Sequence, residues 1–474
     1  MTNSKASQTW VLALASVASL MVALDALVVT TALSTIRLDL GASIANLEWT
    51  VNAYSLSFAV LLMTAAALGD RYGRRRLFAG GLGLFVAASA ACALAPGVGW
   101  LIAARAVQGA GAALVMPLAL ALLSAAFPPE RRAWAMGIFS GVTGIAVLGG
   151  PLVGGAIAQG ISWQWIFWLN VPIGLVVIPL VLRRMDEGFG PRAGLDVAGV
   201  ALATGASLGV VWGLVRGNSA GWGSAEVVGA LVAGALLLVA FVAWELRARE
   251  PMLPMALFRS RAFSSGNAAN LFMVASLFGA VFFMAQFLQT AKGYGPLGAG
   301  LRLMPWTATL FVVAPIAGSL VSRIGERPLI TGGLLLQAGG LAWIASIAGP
   351  HMSYASLVPP LMLAGCGVSM AMPASQNVVM NAVKAEAIGK ASGTFNMVRQ
   401  LGGVLGIAIA VAVFSGAGGY RSAQAFSDGF SPALGVSAAL SLAGAIAGAT
   451  LPGRRRARDE APARAIPQAE GAMP

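Results

Sequence analysis

Residues 48–95 read EWTVNAYSLSFAVLLMTAAALGDRYGRRRLFAGGLGLFVAASAACALA. Two apolar runs, 48–68 and 77–95, flank the loop Gly69-Asp70-Arg71-Tyr72-Gly73-Arg74-Arg75-Arg76. Past Glu48 neither run carries a charge. About twenty apolar residues are what a helix needs to cross a hydrocarbon layer some 30 Å thick. In hydrocarbon only helices and closed barrels satisfy their own backbone polar groups. Barrel strands would alternate over roughly ten residues, and these runs do not alternate. The stretch therefore predicts two membrane-spanning helices joined by a short charged loop.

The pattern recurs along the chain. Runs at 10–34, 48–68, 77–95, 99–122, 134–158, 163–183, 195–216, 225–246, 263–290, 297–320, 328–348, 354–378, 390–416 and 430–451 predict fourteen helices. Of 474 residues, 58% are hydrophobic and only 10% charged, with a mean hydropathy of +0.81. A soluble domain carries about 25% charged residues. The fold class is all-α and polytopic in a membrane. The first run carries Asp25 and is closed by no Ala-x-Ala site, so it reads as a span rather than a cleaved signal.

Net charge is +13, but the arginines occupy short loops between apolar runs, where they orient the chain in the membrane rather than bind nucleic acid. With a cytoplasmic N-terminus, inner segments hold clusters such as Arg74–Arg76, Arg183–Arg184, Arg247–Arg261 and Arg454–Arg458. Outer segments hold only Arg37, Arg216, Lys292, Arg302 and Arg421. Both termini are thus expected in the cytoplasm of a multi-pass cell-membrane protein, and the helix count is even. Losing one helix would invert every later loop. Cys92, Cys366 and the single His351 make no disulfide framework, metal site or histidine-dependent catalytic centre. No Gly-x-x-x-x-Gly-Lys-Ser/Thr loop is present, so no nucleotide cofactor is expected.

The chain repeats itself. Gly109-x-Gly111 leads to Met116-Pro117, and Gly365-x-Gly367 leads to Met372-Pro373, 256 residues later. Asp70-Arg71-x-Gly73-x-Arg75 is matched by Ser322-Arg323-x-Gly325-x-Arg327, 252 residues later. Helices 1–6 therefore resemble helices 9–14, with helices 7 and 8 inserted between them. The expected organisation is a six-helix half at 1–190, two inserted helices and a linker at 191–262, a second six-helix half at 263–451, and a disordered cytoplasmic tail at 452–474. Repeated halves are the organisation of secondary transporters, whose substrate site lies between them.

Several stretches carry chemistry. In the 69–76 loop a carboxylate stands beside several guanidiniums on a turn that glycine permits, so Asp70 can pair with an arginine or cap a helix. The alternative is a plain orienting loop. Asp25 lies deep in helix 1, where a carboxylate costs roughly 2.5–3.5 kcal/mol and marks an ion or substrate path. At 1.5 Å per residue Asp25 is about 13 Å from the outer end of helix 1, and Arg105 about 9 Å down helix 4. Buried opposite charges at matching depth are natural partners. Arg105 and Gln108 share a helix face at i, i+3. Glu48 reads either as a solvated helix-start charge or, with Asn52 and Gln108, as a contact for substrate. Gly149-Gly150-Pro151-Leu152-Val153-Gly154-Gly155 permits close helix packing and a kink. Phe282, Phe283, Met284 and Phe287 read either as the lining of an apolar site or, for most of them, as lipid-facing, which is the expectation.

The 69–76 loop resembles the signature between helices 2 and 3 of the major facilitator superfamily. Gly149–Gly155 resembles its antiporter signature, and Arg105-x-x-Gln108-Gly109-x-Gly111 its helix-4 signature. Leu24-Asp25 with Ala32-Leu33 resembles the helix-1 signature of fourteen-helix drug:proton antiporters of the EmrB/QacA type. Trp163–Phe167, Asn170-Val171-Pro172 and Arg399–Gly403 fit the same type, so the resemblance spans residues 10–450. The chain departs from that pattern at Thr30, Ser34, Ala66, Gln164 and Ser322. The resemblance implies a major-facilitator bundle exporting a hydrophobic compound, cationic ones included, in exchange for protons. Asp25 and Arg105 would couple protons, and Gly69, Asp70, Arg71, Gly73, Arg74 and Arg75 would form a conformational switch. Gly149, Gly150, Pro151, Gly154 and Gly155 would form a seal. Expected partners are a small molecule, protons and lipid, with no nucleic acid and a monomeric state.

The alternatives are a proton symporter, an exporter of one endogenous metabolite, a non-transporting sensor, and a membrane-embedded enzyme. The last would need clustered histidine, cysteine or paired carboxylates at one depth. A cysteine replacing His351 should be labelled from outside intact cells by an impermeant maleimide, and cysteines replacing Arg74 or Arg455 should not. Outside labelling of R455C would reject the even helix count.

Overall fold

A computed structural model describes residues 5–190, 196–383 and 387–452. The expected disordered tail, from 453 onward, lies outside the described residues. The described elements are helices α1 (Lys5–Leu40), α2 (Ile44–Tyr72), α3 (Arg74–Ala93), α4 (Val98–Ala126), α5 (Pro129–Gly160), α6 (Trp165–Trp168) and α7 (Asn170–Arg184). They continue with α8 (Val197–Ala220), α9 (Ala225–Glu245), α10 (Arg261–Thr290), α11 (Pro296–Ile324), α12 (Glu326–Ile347), α13 (Tyr354–Asn381), α14 (Ile388–Ala417) and α15 (Ala423–Ala449). Thirteen stretches of described helix are long and apolar enough to cross a membrane, with α6 and α7 counting as one. The 32-residue α5 is not among the thirteen but matches them in length.

Helix starts follow simple chemistry. The side chains of Ser43, Asp196, Ser224, Ser260, Ser353 and Ser422 each accept a bond from a first-turn N–H that the helix leaves unpaired. Several helices run longer than their apolar cores suggest. Helix α1 continues through Arg37 to Leu40 rather than ending near 34, and α15 starts at Ala423 rather than 430. Polar residues at the ends still make helical backbone bonds, so hydropathy marks the membrane core and not the helix terminus.

The internal repeat appears in the packing. A Cβ added at Gly109 would strike the Tyr54 carbonyl of α2, and one at Gly111 would come within 2.7 Å of the Phe85 backbone nitrogen of α3. At Gly365 an added Cβ would come within 2.6 Å of the Trp306 carbonyl of α11, and at Gly367 it would strike α12 at Gly333 and Gln337. The two glycine pairs thus let α4 and α13 touch their neighbours backbone to backbone in the same way. The matching loops share a backbone device as well, since Gly73 and Gly325 both stand at positive φ, +110° and +86°, which glycine adopts without strain.

Helices α1–α7 pack among themselves, as do α10–α15, and the α8–α9 hairpin lies against the edge formed by α2 and α14. There Trp49 and Trp212 sit 6.2 Å apart, and Asn218 donates to the Ala412 carbonyl. The outer side of α9 is an exposed apolar stripe, with Leu236 at 65% and Val239 at 67%, as a lipid-facing helix requires. Phe282, Phe283, Met284 and Phe287 are buried, contrary to the expectation that they face lipid. Helix α10 lies among α13, α14 and α15, and its rings stack on theirs, Phe283 on Phe414 at 4.4 Å and Phe287 on Phe430 at 4.2 Å. Composition cannot tell lipid from aromatic neighbours.

Substituting Gly111 by Ala should cost about 1–3 kcal/mol through overpacking against backbone. Gly83→Ala, which meets nothing within 4 Å, should cost nothing. Thermal unfolding of the two purified variants checks the contrast, and equal melting temperatures would contradict it.

Candidate coupling site and conformational loop

Asp25 is buried in α1 and forms an ion pair with Arg105 of α4. Its other oxygen, Oδ1, accepts from Gln108 Nε2 at 2.8 Å and from Asn170 Nδ2 at 3.1 Å. Every partner of the carboxyl group is a donor, the complement that an anion needs. Arg105 is equally occupied. It donates to Gln108 Oε1 at 2.7 Å and to the Thr50 carbonyl at 3.1 Å, and its guanidinium lies over the Tyr54 ring at 4.2 Å. Ser89 of α3 accepts from both Gln108 and Asn170, at 2.7 and 3.2 Å. One cluster therefore ties α1, α2, α3, α4 and α7 together.

Asp25, Arg105 and Gln108, singled out from the sequence, meet in this cluster. Asn170 entered only as part of the Asn170-Val171-Pro172 motif and Ser89 not at all, and neither was singled out as a site residue. A further signal for both was the cost of a buried polar group, which demands a partner.

Glu48 is fully buried rather than solvated. Helix α2 begins at Ile44, so Glu48 lies in its second turn and not at its mouth. Asn52 Nδ2 donates to Glu48 Oε1 at 3.0 Å. Neither residue bonds to the Asp25 cluster, although Thr50, whose carbonyl Arg105 reaches, lies between them in α2. A cleft of about 600 Å³ between α11 and α13 is lined by Gly318, Val321, Glu326 and Asn377 and by no residue of this cluster.

In the α2–α3 loop, Asp70 Oδ1 pairs with Arg74, with Nε and Nη2 each at 2.7 Å. The segment after α7 clasps this loop. Gly190 N–H donates to the Asp70 carbonyl at 3.0 Å and Arg74 N–H to the Gly188 carbonyl at 2.8 Å. Glu187 accepts from the Arg75 amide at 2.8 Å and lies 3.6 and 3.7 Å from the Arg75 and Arg76 guanidiniums. Gly73 leaves room for the Glu187 carboxyl, which an added Cβ would approach to 2.9 Å. Glu187 was not foreseen, since it stands far along the chain in a loop without pattern. The Asp70–Arg74 pair is partly exposed, so its net worth is no more than about 1 kcal/mol. Arg71 lies over Tyr72.

Residues 15–407 match the Major Facilitator Superfamily. The chain belongs to that superfamily. It is 37% identical over 397 residues to the tetracenomycin C resistance and export protein of Streptomyces glaucescens, covering 83% of this chain and 73% of that protein. It is 37% identical over 392 residues to the multidrug resistance protein Stp of Mycobacterium tuberculosis, covering 82% of this chain and 72% of that one. A crystal structure of the peptide transporter POT superposes with a TM-score of 0.69 over 92% of both chains at 17% identity, which speaks for the fold alone. The protein is thus a multi-pass membrane transporter of small molecules, with drug and antibiotic exporters among its relatives.

Within this facilitator fold the glycines of α5 face two ways. An added Cβ at Gly150 would come within 2.7 Å of Leu27, and one at Gly154 within 2.6 Å of the Val28 carbonyl, both on α1. At Gly155 it would reach the Pro296 carbonyl of α11 at 2.5 Å. Pro151 in turn meets Gly300, while an added Cβ at Gly149 would meet nothing within 4 Å. Three further contacts join the two helix sets at the same, arginine-poor end. Gln289 donates to the Thr31 carbonyl at 2.9 Å, the Leu297 amide donates to Gln159 at 3.1 Å, and Arg37 lies 4.1 Å over Tyr420.

Among the described residues of α10–α15 the Asp25–Arg105 pair has no counterpart. Offset by the repeat, Arg105 and Gln108 become Leu361 and Ala364, both fully buried. Arg105→Gln should strand the Asp25 charge and cost about 3–5 kcal/mol. Combining it with Asp25→Asn removes both charges, so the double variant should unfold at a higher temperature than R105Q alone. A double variant no more stable than R105Q would dissolve the pairing argument.

Proposed function

We propose that this transporter is a proton-coupled antiporter that exports hydrophobic drugs or natural products, cationic ones included, across the cell membrane. The observation that carries the reading is the buried Asp25–Arg105 pair with its amide donors. Protonating Asp25 would cancel its charge and convert one acceptor into a donor. Arg105 would then be an uncompensated buried cation, and Gln108 and Asn170 would compete for fewer lone pairs. Because the cluster joins five helices, its rearrangement would move helices and not just side chains. A proton would in this way be exchanged for a conformation.

The remaining assignments follow from that role. Gln108, Glu48 and Asn52 are candidate substrate contacts beside the path. The loop Gly69, Asp70, Arg71, Gly73, Arg74 and Arg75 is the switch, with Glu187 as its latch, formed in one state and broken in the other. Gly149, Gly150, Pro151, Gly154 and Gly155 form a tight seam that restricts leak without exchange. Counting α5 with the thirteen candidate spans brings the spans to fourteen, as in the EmrB/QacA type. The arginine-rich end is then cytoplasmic and carries both termini. The halves 1–190 and 263–451 would rock about the site, with 191–262 as an inserted hairpin and linker and the protein acting as a monomer. The names of the relatives, one an antibiotic resistance and export protein and one a multidrug resistance protein, favour export of antibiotic-like compounds.

The test is a resistance screen in a pump-deleted host across lipophilic cations, anions and neutral antibiotics, followed by transport of the selected compound in inverted vesicles. Asp25→Asn should retain binding but lose uphill transport and substrate-induced proton movement, at least tenfold below wild type. Uphill pumping by D25N at the normal rate would show that Asp25 is not the proton carrier.

A further inference from the structure

Glu48 and Asn52 are both fully buried, on one face of α2 and one turn apart. They already touch through Asn52 Nδ2 and Glu48 Oε1 at 3.0 Å. Their other oxygens, Glu48 Oε2 and Asn52 Oδ1, are buried without any hydrogen-bond partner. An ionised carboxylate placed so would have one oxygen satisfied by a neutral amide and its charge uncompensated, several kcal/mol unfavourable in a dry interior. Adding a water would supply a donor but not the missing charge.

A single hydrogen resolves both orphans. With a proton on Glu48 Oε2, the new O–H can donate to Asn52 Oδ1 while Asn52 Nδ2 goes on donating to Glu48 Oε1. The acid and the amide then close a two-bond ring in which every buried polar atom of the pair is used.

The charged groups on neighbouring helices are engaged elsewhere or form no bond with Glu48. On α4, Arg105 is held by Asp25, Gln108 and Thr50. On α1, Asp25 is in the same cluster, Arg37 lies over Tyr420, and Asp39 accepts from Trp163. On α3, Arg74, Arg75 and Arg76 serve Asp70 and Glu187. On α8, Arg216 pairs with Glu226. On α14, Lys390 and Arg399 make no ion pair with Glu48. Among the described residues Glu48 has no ionic partner. Yet it is not isolated from Asp25. The Thr50 carbonyl, between Glu48 and Asn52 in α2, accepts from Arg105 at 3.1 Å, so the turn that carries the acid–amide pair is bonded to the cation that serves Asp25.

We propose that Glu48 and Asn52 form a second proton-binding site of the transporter, distinct from Asp25 and linked to it through Arg105 and the Thr50 carbonyl. Glu48 stands about 6 Å along α2 from its start at Ile44 at 1.5 Å per residue, close to the arginine-poor end. A proton held there exchanges with water when that end opens. The inference rests on the proton-coupled reading, assigns a second carboxyl group to the cycle, one that carries its proton where Asp25 is ion-paired, and replaces the substrate contact proposed for Glu48 and Asn52.

Infrared spectroscopy of the purified full-length protein in lipid nanodiscs tests this without any substrate. A carboxylic-acid C=O band near neutral pH should lose a component in Glu48→Gln and keep that component in Asp25→Asn. Asn52→Leu should shift the band, because the acid loses its hydrogen-bonded partner. That measurement keeps the assignment testable even should E48Q fold poorly. On transfer to deuterated buffer the band should move as the proton exchanges, and in potentiometric titration E48Q should bind one proton fewer than wild type. Absence of a Glu48-dependent band at every pH where the protein is folded would overturn the proposal. So would a band unmoved by N52L, or one that never exchanges in the folded protein, since a permanently buried acid takes no part in a cycle. Normal uphill transport by D25N would refute the role of Asp25 and leave these outcomes untouched.

Discussion

An uncompensated charge inside a hydrocarbon layer is so unfavourable that the helices of this transporter are arranged around the few charges they bury. Asp25 and Arg105 answer each other, and the polar atoms left over are taken by Gln108, Asn170, Ser89, Thr50 and the face of Tyr54. Five helices converge because five must contribute a partner. A cluster so assembled is stable in one charge state and must rearrange in another. Under the proposed coupling, that property would turn proton binding into motion, and an apolar core of equal size would lack it.

Helices α10–α15 follow the same plan without a counterpart of that ion pair. Glycine pairs seat α4 and α13 on their neighbours in the same way, and Gly73 and Gly325 turn the two equivalent loops. Where the first half has Arg105 and Gln108, the second has Leu361 and Ala364, and beside them stands a stack of phenylalanines joining α10, α14 and α15. Backbone proximity preserved by glycine holds the shared architecture. Among the described residues the Asp25–Arg105 ion pair lies in the first helix set alone.

Charges at the arginine-poor end follow a related logic. Arg37 and Arg302 lie over tyrosine rings, at 4.1 Å from Tyr420 and 3.6 Å from Tyr294. Lys292 donates to the Pro350 carbonyl, and Arg216 pairs with Glu226. Four of the five cations that stand outside the dominant charge asymmetry thus have specific partners. The Arg37–Tyr420 contact also joins the two helix sets, so a residue that breaks the orienting pattern contributes to the closure of that end.

The helical, membrane-spanning character, the repeat and the meeting of Asp25 with Arg105 were legible in the sequence, because each rests on a one-dimensional quantity: run length, residue spacing or depth along a helix at a fixed rise. The expected fates of Glu48 and of Phe282, Phe283, Met284 and Phe287 were misjudged for one reason. Whether a side chain on a spanning helix meets water, lipid or another helix depends on rotation about the helix axis and on which neighbour lies there, and hydropathy carries neither. Glu187, Ser89 and Asn170 were unreadable as site residues because their partners lie far away in the chain. Sequence by itself determined that the chain is built of long apolar helices and which charges among them must find partners. Beyond the Asp25–Arg105 pair, only the tertiary structure decided which partners those are, since a buried hydrogen bond is satisfied by proximity in space, to which separation along the chain is no guide.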